Sequence, residues 1–187
     1  NVIYDISPTD TPFMSMGGRT DATAVNHEWQ TDALAAAVTT NYAEEGSTLT
    51  AAEPAATTRL GNICQISLKT TLVSGTLDAV SAAGRKEELA YQMSKRAKEL
   101  KRDMEKTLVG VNQGKAAMSA DTTVRQLGSL PAWVTTNVSI GSGGTAPGSA
   151  GEGAARTDGT QRAFTETLLK AAILLAYNSG ADLKDMM

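Results

Sequence analysis

The sequence predicts an α+β fold in which one long β-hairpin precedes two amphipathic helices. Polar and apolar side chains alternate around residue 27 and again from 64 to 72, as in strands with two unlike faces. Apolar side chains recur every three or four residues from 85 to 109 and again from 165 to 178, as in helices. The length of 187 residues suits one domain with appendages.

The first 16 residues contain two proline steps, Ser7-Pro8 and Thr11-Pro12. Because proline favours an extended conformation in the residue before it, residues 1–16 are predicted to form an extended arm. The arm needs a covering surface, which a neighbouring molecule can supply, for its apolar residues Val2, Ile3, Ile6, Phe13 and Met14.

The predicted hairpin has a first strand around residues 24–31. Its return strand is predicted from an apolar face formed by Cys64, Ile66, Leu68 and Leu72. The connection, residues 32–58, is too long for a tight turn and is predicted to be either functional or partly disordered.

A short helix is predicted from Leu77 to Ala83, and a long one from Arg85 to Val109. The long helix carries one apolar stripe that should fix its position, formed by Leu89, Met93, Ala97, Leu100, Met104 and Leu108. Charged pairs one turn apart, such as Lys95 with Glu99 and Lys101 with Glu105, are predicted on its surface. Residues 127–133 are predicted to pack beside the end of this helix.

Residues 139–159 contain seven glycines, a composition that predicts a mobile surface loop. A further helix should begin with Thr165 as its cap, with Phe164 and Leu169 as a hydrophobic staple, and run to Asn178. Its nearly all-apolar sequence predicts a buried helix. Residues 182–187 resemble the approach to a strand, and sequence is expected to be missing at both ends.

The composition argues against nucleic-acid binding, metal binding and catalysis. The net charge of −3 provides no basic field for nucleic acid, and the eight cations of residues 85–106 alternate with five acids. His27 is the only histidine and Cys64 the only cysteine, which excludes a multi-histidine metal site and an internal disulfide. Gly110–Lys115 lacks the spacing of a phosphate-binding loop. No catalytic, cofactor-binding or metal-binding residue is predicted, and no cofactor.

The predicted core is lean, because only 4% of residues are aromatic and alanine dominates the apolar fraction. Large side chains supply most burial energy, so contacts between molecules are the expected source of further stability. The longest apolar run, Ala171–Tyr177, is too short to cross a bilayer.

Several short stretches, in order along nearly the whole chain, resemble one group of tailed-phage major capsid proteins with the Hong Kong 97-like fold. They are Ser7–Phe13, His27–Trp29, Val73–Thr76, Gly84–Lys86, Glu88–Gln92, Lys98–Asp103 and Ala132–Asn137. The resemblance implies an N-arm (1–16), an E-loop hairpin (17–76), a P-domain (77–137) with a spine helix at about 85–109, a flexible loop (138–164), and a helix and strand entering the A-domain (165–187). It implies that the fold is truncated at its C-terminal end.

By this resemblance the protein self-assembles into the icosahedral head of a tailed double-stranded DNA phage. It implies identical subunits in pentamers and hexamers as partners, with accessory or decoration proteins, only indirect contact with packaged DNA, and no membrane. The expected location is the virion, after assembly in the host bacterial cytoplasm. The alternatives are the shell protein of an encapsulin-type compartment and, from another class, a nucleic-acid-binding helical module.

Phe13, Trp29 and Trp133 are the best candidates for apolar anchors between subunits, although each suits core packing equally well. Some members of this fold join subunits covalently through an E-loop lysine and an asparagine of a neighbour. Here no lysine precedes Lys69. Non-covalent locking by the E-loop and the N-arm is therefore predicted.

Overall fold

A computed structural model describes residues 10–48, 51–80, 87–117, 124–148 and 153–181. The described residues form one two-stranded antiparallel sheet, four α-helices and one 3-10 turn. In chain order these are α1 (Pro12–Met16), β1 (Asn26–Thr31), β2 (Thr58–Ile63), α2 (Gly75–Ala79), α3 (Glu88–Val109), the 3-10 turn (Leu130–Ala132) and α4 (Glu166–Asn178). The prediction of an α+β chain is confirmed.

The hairpin pairs His27 with Asn62 and Trp29 with Leu60. The pairing continues one step beyond the strands, because the backbone N–H of Cys64 donates to the carbonyl of Val25 at 2.8 Å. The predicted first strand is confirmed to within two residues. The predicted return strand at 64–72 is wrong, because the strand ends at Ile63 and residues 64–74 have no regular structure.

The physical reason lies in the partners of the segment after β2. The side chain of Gln65 bonds to residues of another segment, and no strand lies beside residues 64–74 in the described chain. The alternating apolar side chains therefore stay outside: Ile66, Leu68 and Leu72 are 69%, 71% and 97% exposed.

The predicted extended arm is wrong for residues 12–16, which form α1. Proline restricts the residue before it, and Thr11 is indeed non-helical, but the φ of Pro12 itself suits the first turn of a helix. The carboxylate of Glu105 accepts hydrogen bonds from the backbone N–H groups of Phe13 and Met14. Residues 1–9 of the predicted arm lie outside the described residues.

The long helix α3 has 22 residues and is about 33 Å long. Its predicted range is confirmed from residue 88 onward, and residues 81–86 lie outside the described chain. The short helix α2 begins two residues before its predicted start. The side chain of Asp78 in α2 accepts a hydrogen bond from the backbone N–H of Leu89 at 3.2 Å, which ties the start of α3 to α2.

The apolar stripe of α3 is covered along only half of its length. Leu100, Met104 and Leu108 are half-buried, whereas Leu89 and Met93 are 45% and 59% exposed. The 3-10 turn contacts α3, which confirms that the 127–133 segment packs beside this helix.

The glycine-rich segment pairs with itself across its two described parts. Thr145 and Thr157 exchange backbone hydrogen bonds of 3.1 and 3.2 Å. Gly141 and Gly159 pass so closely that a Cβ on either would overlap the opposite backbone. Glycine therefore allows two backbone stretches to cross here, a role that the composition did not reveal.

The helix α4 is confirmed at its predicted bounds, and its cap is Thr165, whose hydroxyl accepts from the N–H of Leu168 at 3.4 Å. The prediction that α4 is buried is wrong. Leu174 is 58% exposed and Tyr177 is 73% exposed. Phe164, the first residue of the predicted staple, is 79% exposed. Among the described residues α4 contacts no other helix or strand, and of its apolar side chains only Leu168, Leu169 and Ala176 are half-buried. Residues 182–187, predicted to approach a strand, lie outside the described chain.

Substituting Thr165→Ala should weaken the first turn of α4 by about 1 kcal/mol, because one backbone N–H loses its acceptor. Hydrogen exchange of the amides at 166–169 should accelerate. Thr167→Ala is the matched control, since it removes the same group from an exposed position on this turn and leaves the cap intact. Equal acceleration by both substitutions would contradict the capping role.

Candidate functional site

The chain exposes far more surface than a compact protein of its mass. Its accessible surface is 15,080 Å², whereas a compact monomer of 19.5 kDa exposes about 8,500 Å². In the described part of the chain, Ala132 and Pro147 are the only apolar side chains that are buried. The protein thus presents its apolar side chains outward and holds its shape by other means.

The hydrogen bonds and ring contacts that hold the chain together are concentrated where the hairpin meets the segments that follow α3. We call this region the hairpin-base cluster, formed by Gly61, Asn62, Gln65, Trp29, Gln113, Lys115, Gly128, Ser129 and Trp133. The side-chain amide of Asn62 donates to the carbonyl of Gly128 at 3.1 Å and accepts from its N–H at 2.9 Å. This two-point contact fixes β2 against the 126–133 segment.

Gln113 makes the second connection in the hairpin-base cluster. Its side-chain N–H₂ donates to Gln65 Oε1 at 2.9 Å and to the carbonyl of Leu127 at 2.8 Å. Its backbone bonds to Ser129, which is fully buried: the N–H of Ser129 donates to the carbonyl of Gln113 at 2.9 Å, and Gln113 N–H donates to Ser129 Oγ at 3.1 Å. Three separate segments therefore share one set of hydrogen bonds.

Two tryptophans form the apolar side of the same cluster. The ring centroids of Trp29 and Trp133 lie 5.2 Å apart with an interplanar angle of 52°. Trp133 Nε1 donates to the carbonyl of Gly128 at 3.2 Å. The ammonium of Lys115 lies 5.5 Å from the Trp133 ring centroid and donates to the carbonyl of Gly61 at 2.9 Å. Lys115 is thus a structural cation, held between an aromatic face and a strand carbonyl.

The predicted anchor residues fall in two places. Trp29 and Trp133 meet in the hairpin-base cluster, and Trp29 keeps 36% of its surface exposed. Phe13 is half-buried on α1, which contacts α3 and no strand in the described chain. Sequence reasoning missed Asn62, Gln65 and Gln113, because an isolated polar amide gives no periodic signal and its partners lie up to 66 residues away.

The outward apolar surface has three parts. The hairpin connection contributes Leu34, Val38 and Tyr42, and the segment after β2 contributes Ile66, Leu68 and Leu72. The third part is α4, with Ile173, Leu174, Leu175 and Tyr177. Apolar areas of this extent are typical of surfaces that bind another protein.

Several charged side chains form ion pairs that connect or support the described elements. Lys69 Nζ lies 2.7 Å from Asp103 Oδ2, which ties the segment after β2 to α3, and Arg59 pairs with Glu28 across the hairpin at 3.3 Å. The Arg96 guanidinium, hydrogen-bonded to Glu99, lowers the pKa of that carboxyl. Hydrogen bonds lower the pKa of Asp158: the larger effect comes from the side chain of Asn112 and the smaller one from Arg156.

The residues that sequence analysis weighed for chemistry have other surroundings. The ring of His27 lies 6.2 Å from that of Trp29, and Cys64 is half-buried with its thiol 3.6 Å from the carbonyl of Ala24. Across the described ranges, no group of three or more His, Cys, Asp or Glu side chains is placed to hold a metal ion. No described helix is long and apolar enough to span a bilayer.

Comparison with known proteins adds two findings. The family model described as SU10 major capsid protein matches residues 1–187. A major capsid protein of Escherichia phage Phieco32 is 39% identical over 137 residues, which are 73% of this chain and 39% of that relative. The chain thus spans about two fifths of the relative's length. Because the family match covers every residue, this chain belongs to the SU10 major capsid protein family.

Proposed function

We propose that this chain is part of a subunit that self-assembles into the icosahedral head of a tailed double-stranded DNA phage. The carrying observation is its accessible surface of 15,080 Å² with almost no apolar core in the described residues. Such a chain gains little stability from its own folding, so contacts with other molecules must supply the rest. The relative's role as a major capsid protein supports the same conclusion.

We further propose the Hong Kong 97-like architecture. Residues 1–16 then form the N-arm, 17–76 the E-loop, 77–137 the P-domain, 138–164 a flexible loop, and 165–187 the start of the A-domain. The order of a hairpin, a 22-residue helix and a later apolar helix supports this assignment. In it, α3 is the spine helix, and the pairing within residues 141–160 limits the flexibility of the loop.

The hairpin-base cluster suits a subunit whose hairpin must reach a neighbour at a fixed angle. Trp29 and Asn62 lie on the same face of the hairpin, because Trp29 pairs with Leu60, two residues before Asn62. Both lie against the 128–133 segment, where Trp133 contacts Trp29 and shares the Gly128 carbonyl with Asn62. We therefore assign these two tryptophans to positioning the hairpin. The contacts between subunits then come from the exposed apolar groups at 34–42 and 66–72, and from Phe13 on α1.

The partners in this proposal are identical subunits in pentamers and hexamers, with accessory proteins outside and packaged DNA touched only indirectly. Assembly takes place in the host cytoplasm, and the product is the virion. The subunit has no catalytic role. Intersubunit locking is non-covalent, and Lys69, the one lysine of the proposed E-loop, is engaged by Asp103 within its own chain.

Electron microscopy of the purified full-length protein tests the proposal directly. Closed shells of uniform size are expected, because each contact between identical subunits is repeated by symmetry. A protein that stays monomeric at high concentration under assembly conditions would overturn the proposal. Salt-sensitive DNA binding by such a monomer would favour the nucleic-acid-binding alternative.

Denaturing gels of mature particles test the non-covalent locking. A single band at the mass of one subunit is expected after boiling in detergent, since Lys69 is the only lysine of the hairpin and is ion-paired. Lys69→Met particles should give the same band. A ladder of linked subunits that disappears in Lys69→Met would show that a covalent bond forms at this lysine.

The positioning role of the two tryptophans is tested by Trp29→Ala, Trp133→Ala and the double variant. Because the rings touch, the two losses of unfolding free energy should be non-additive by about 0.5–1.5 kcal/mol in chemical denaturation. Shell formation should fall with either variant. Tyr42→Ala, which removes an aromatic ring that is 84% exposed on the hairpin connection, should leave the unfolding free energy unchanged. Additive losses at positions 29 and 133 would count against a shared brace.

A further inference from the structure

One carboxylate holds the short helix α1 against the long helix α3. Phe13 N–H donates to Glu105 Oε1 at 2.7 Å and Met14 N–H donates to Glu105 Oε2 at 2.9 Å. The cap residue Thr11 makes no side-chain hydrogen bond to this helix. Glu105 therefore takes the place of a missing cap, and its negative charge suits the first turn of α1.

The helix α1 depends for its existence on this contact with Glu105, which we call the Glu105 seat. Five residues are too few for a helix that is stable in water on its own, and α1 buries none of its residues. In the described chain α1 contacts no helix or strand other than α3. Its connection to β1, residues 17–25, is exposed throughout and begins with Gly17-Gly18, so it puts little restraint on the position of α1.

The spacing of residues along α3 offers Glu105 a second partner. Lys101 lies one turn earlier on the same face of α3, a spacing at which ammonium and carboxylate pair. In the described chain no ion pair joins them, because the Glu105 carboxylate is turned toward α1. Loss of α1 would free the carboxylate for Lys101, which lowers the free energy of the undocked state.

We propose that Glu105 is a two-position switch. In one position its carboxylate seats α1 on α3, and in the other it pairs with Lys101 while residues 10–16 are released and lose their helical form. The inference concerns a single subunit and does not depend on shell assembly, so it can fail while the proposed function stands.

Hydrogen exchange in the full-length protein, kept as unassembled subunits, tests the switch. Glu105→Ala should raise the exchange rate of the Phe13 and Met14 amides at least about tenfold, because both lose a charged acceptor. Lys101→Met should slow the same amides by about 1.5- to 2-fold, because the released state loses its ion pair. The second substitution leaves the seat untouched, so it is informative even where Glu105→Ala disturbs α3.

Lys95→Met is the matched control, since it removes the same charge from α3 more than two turns away from Glu105. It should leave the exchange of Phe13 and Met14 unchanged. Circular dichroism of Lys101→Met and Lys95→Met should show the helix content of the parent protein, and Glu105→Ala should lose no more helix than the five residues of α1. Unchanged exchange in Glu105→Ala, or equal slowing by Lys101→Met and Lys95→Met, would overturn the proposal.

Discussion

The side-chain amide of Asn62 hydrogen-bonds the backbone of Gly128 at both its N–H and its carbonyl, and the hairpin-base cluster is built around that contact. It joins the hairpin to a segment 66 residues later in the chain. Trp133 Nε1 donates to the same carbonyl of Gly128, so the indole of Trp133 and the amide of Asn62 share one acceptor. Without this contact the hairpin would be held to the segments that follow α3 by Lys115, Gln113 and the tryptophan pair.

The contacts of the cluster are mostly polar, and few apolar side chains are buried elsewhere in the described chain. Each hydrogen bond within it contributes only about 1 kcal/mol net, but leaving one of these half-buried groups unpaired costs more than that. A polar cluster therefore adds little to the free energy of unfolding. Its main effect is to disfavour other positions of the hairpin, in which these groups would be unpaired. For the proposed capsid subunit, in which the hairpin reaches a neighbour, that selectivity matters more than a large core.

The exposed apolar side chains and the polar hairpin-base cluster are related, because the polar contacts hold the chain together while the apolar side chains stay unburied. Leu34, Ile66 and Leu174 lie on different parts of the chain, and each is more than half exposed. In the proposed shell, burying side chains of this kind between subunits would release about 25 cal/mol for each Å² removed from water, so stability would be gained on assembly. The isolated chain keeps its shape through directional hydrogen bonds, which leaves its apolar surface available.

Local sequence patterns were sufficient to predict the elements whose cause is local. The spacing of apolar residues predicted α3, the cap at Thr165 predicted the start of α4, and alternation around His27 predicted β1. Each depends on residues within a few positions of one another, so no tertiary information is required. The resemblance to capsid proteins likewise came from short stretches, and the family match confirmed it.

The sequence by itself therefore determined the class of the protein, its long helix and its shortage of core. Only the tertiary structure decided where β2 ends, that residues 12–16 form a helix, and that Trp29 meets Trp133. The physical reason is that these outcomes depend on partners distant in sequence: Gln65 bonds to Gln113, and Glu105 caps α1 from 91 and 92 residues away. Polar contacts of that range leave no periodic trace in the sequence, and one carboxylate or amide is enough to redirect a whole segment.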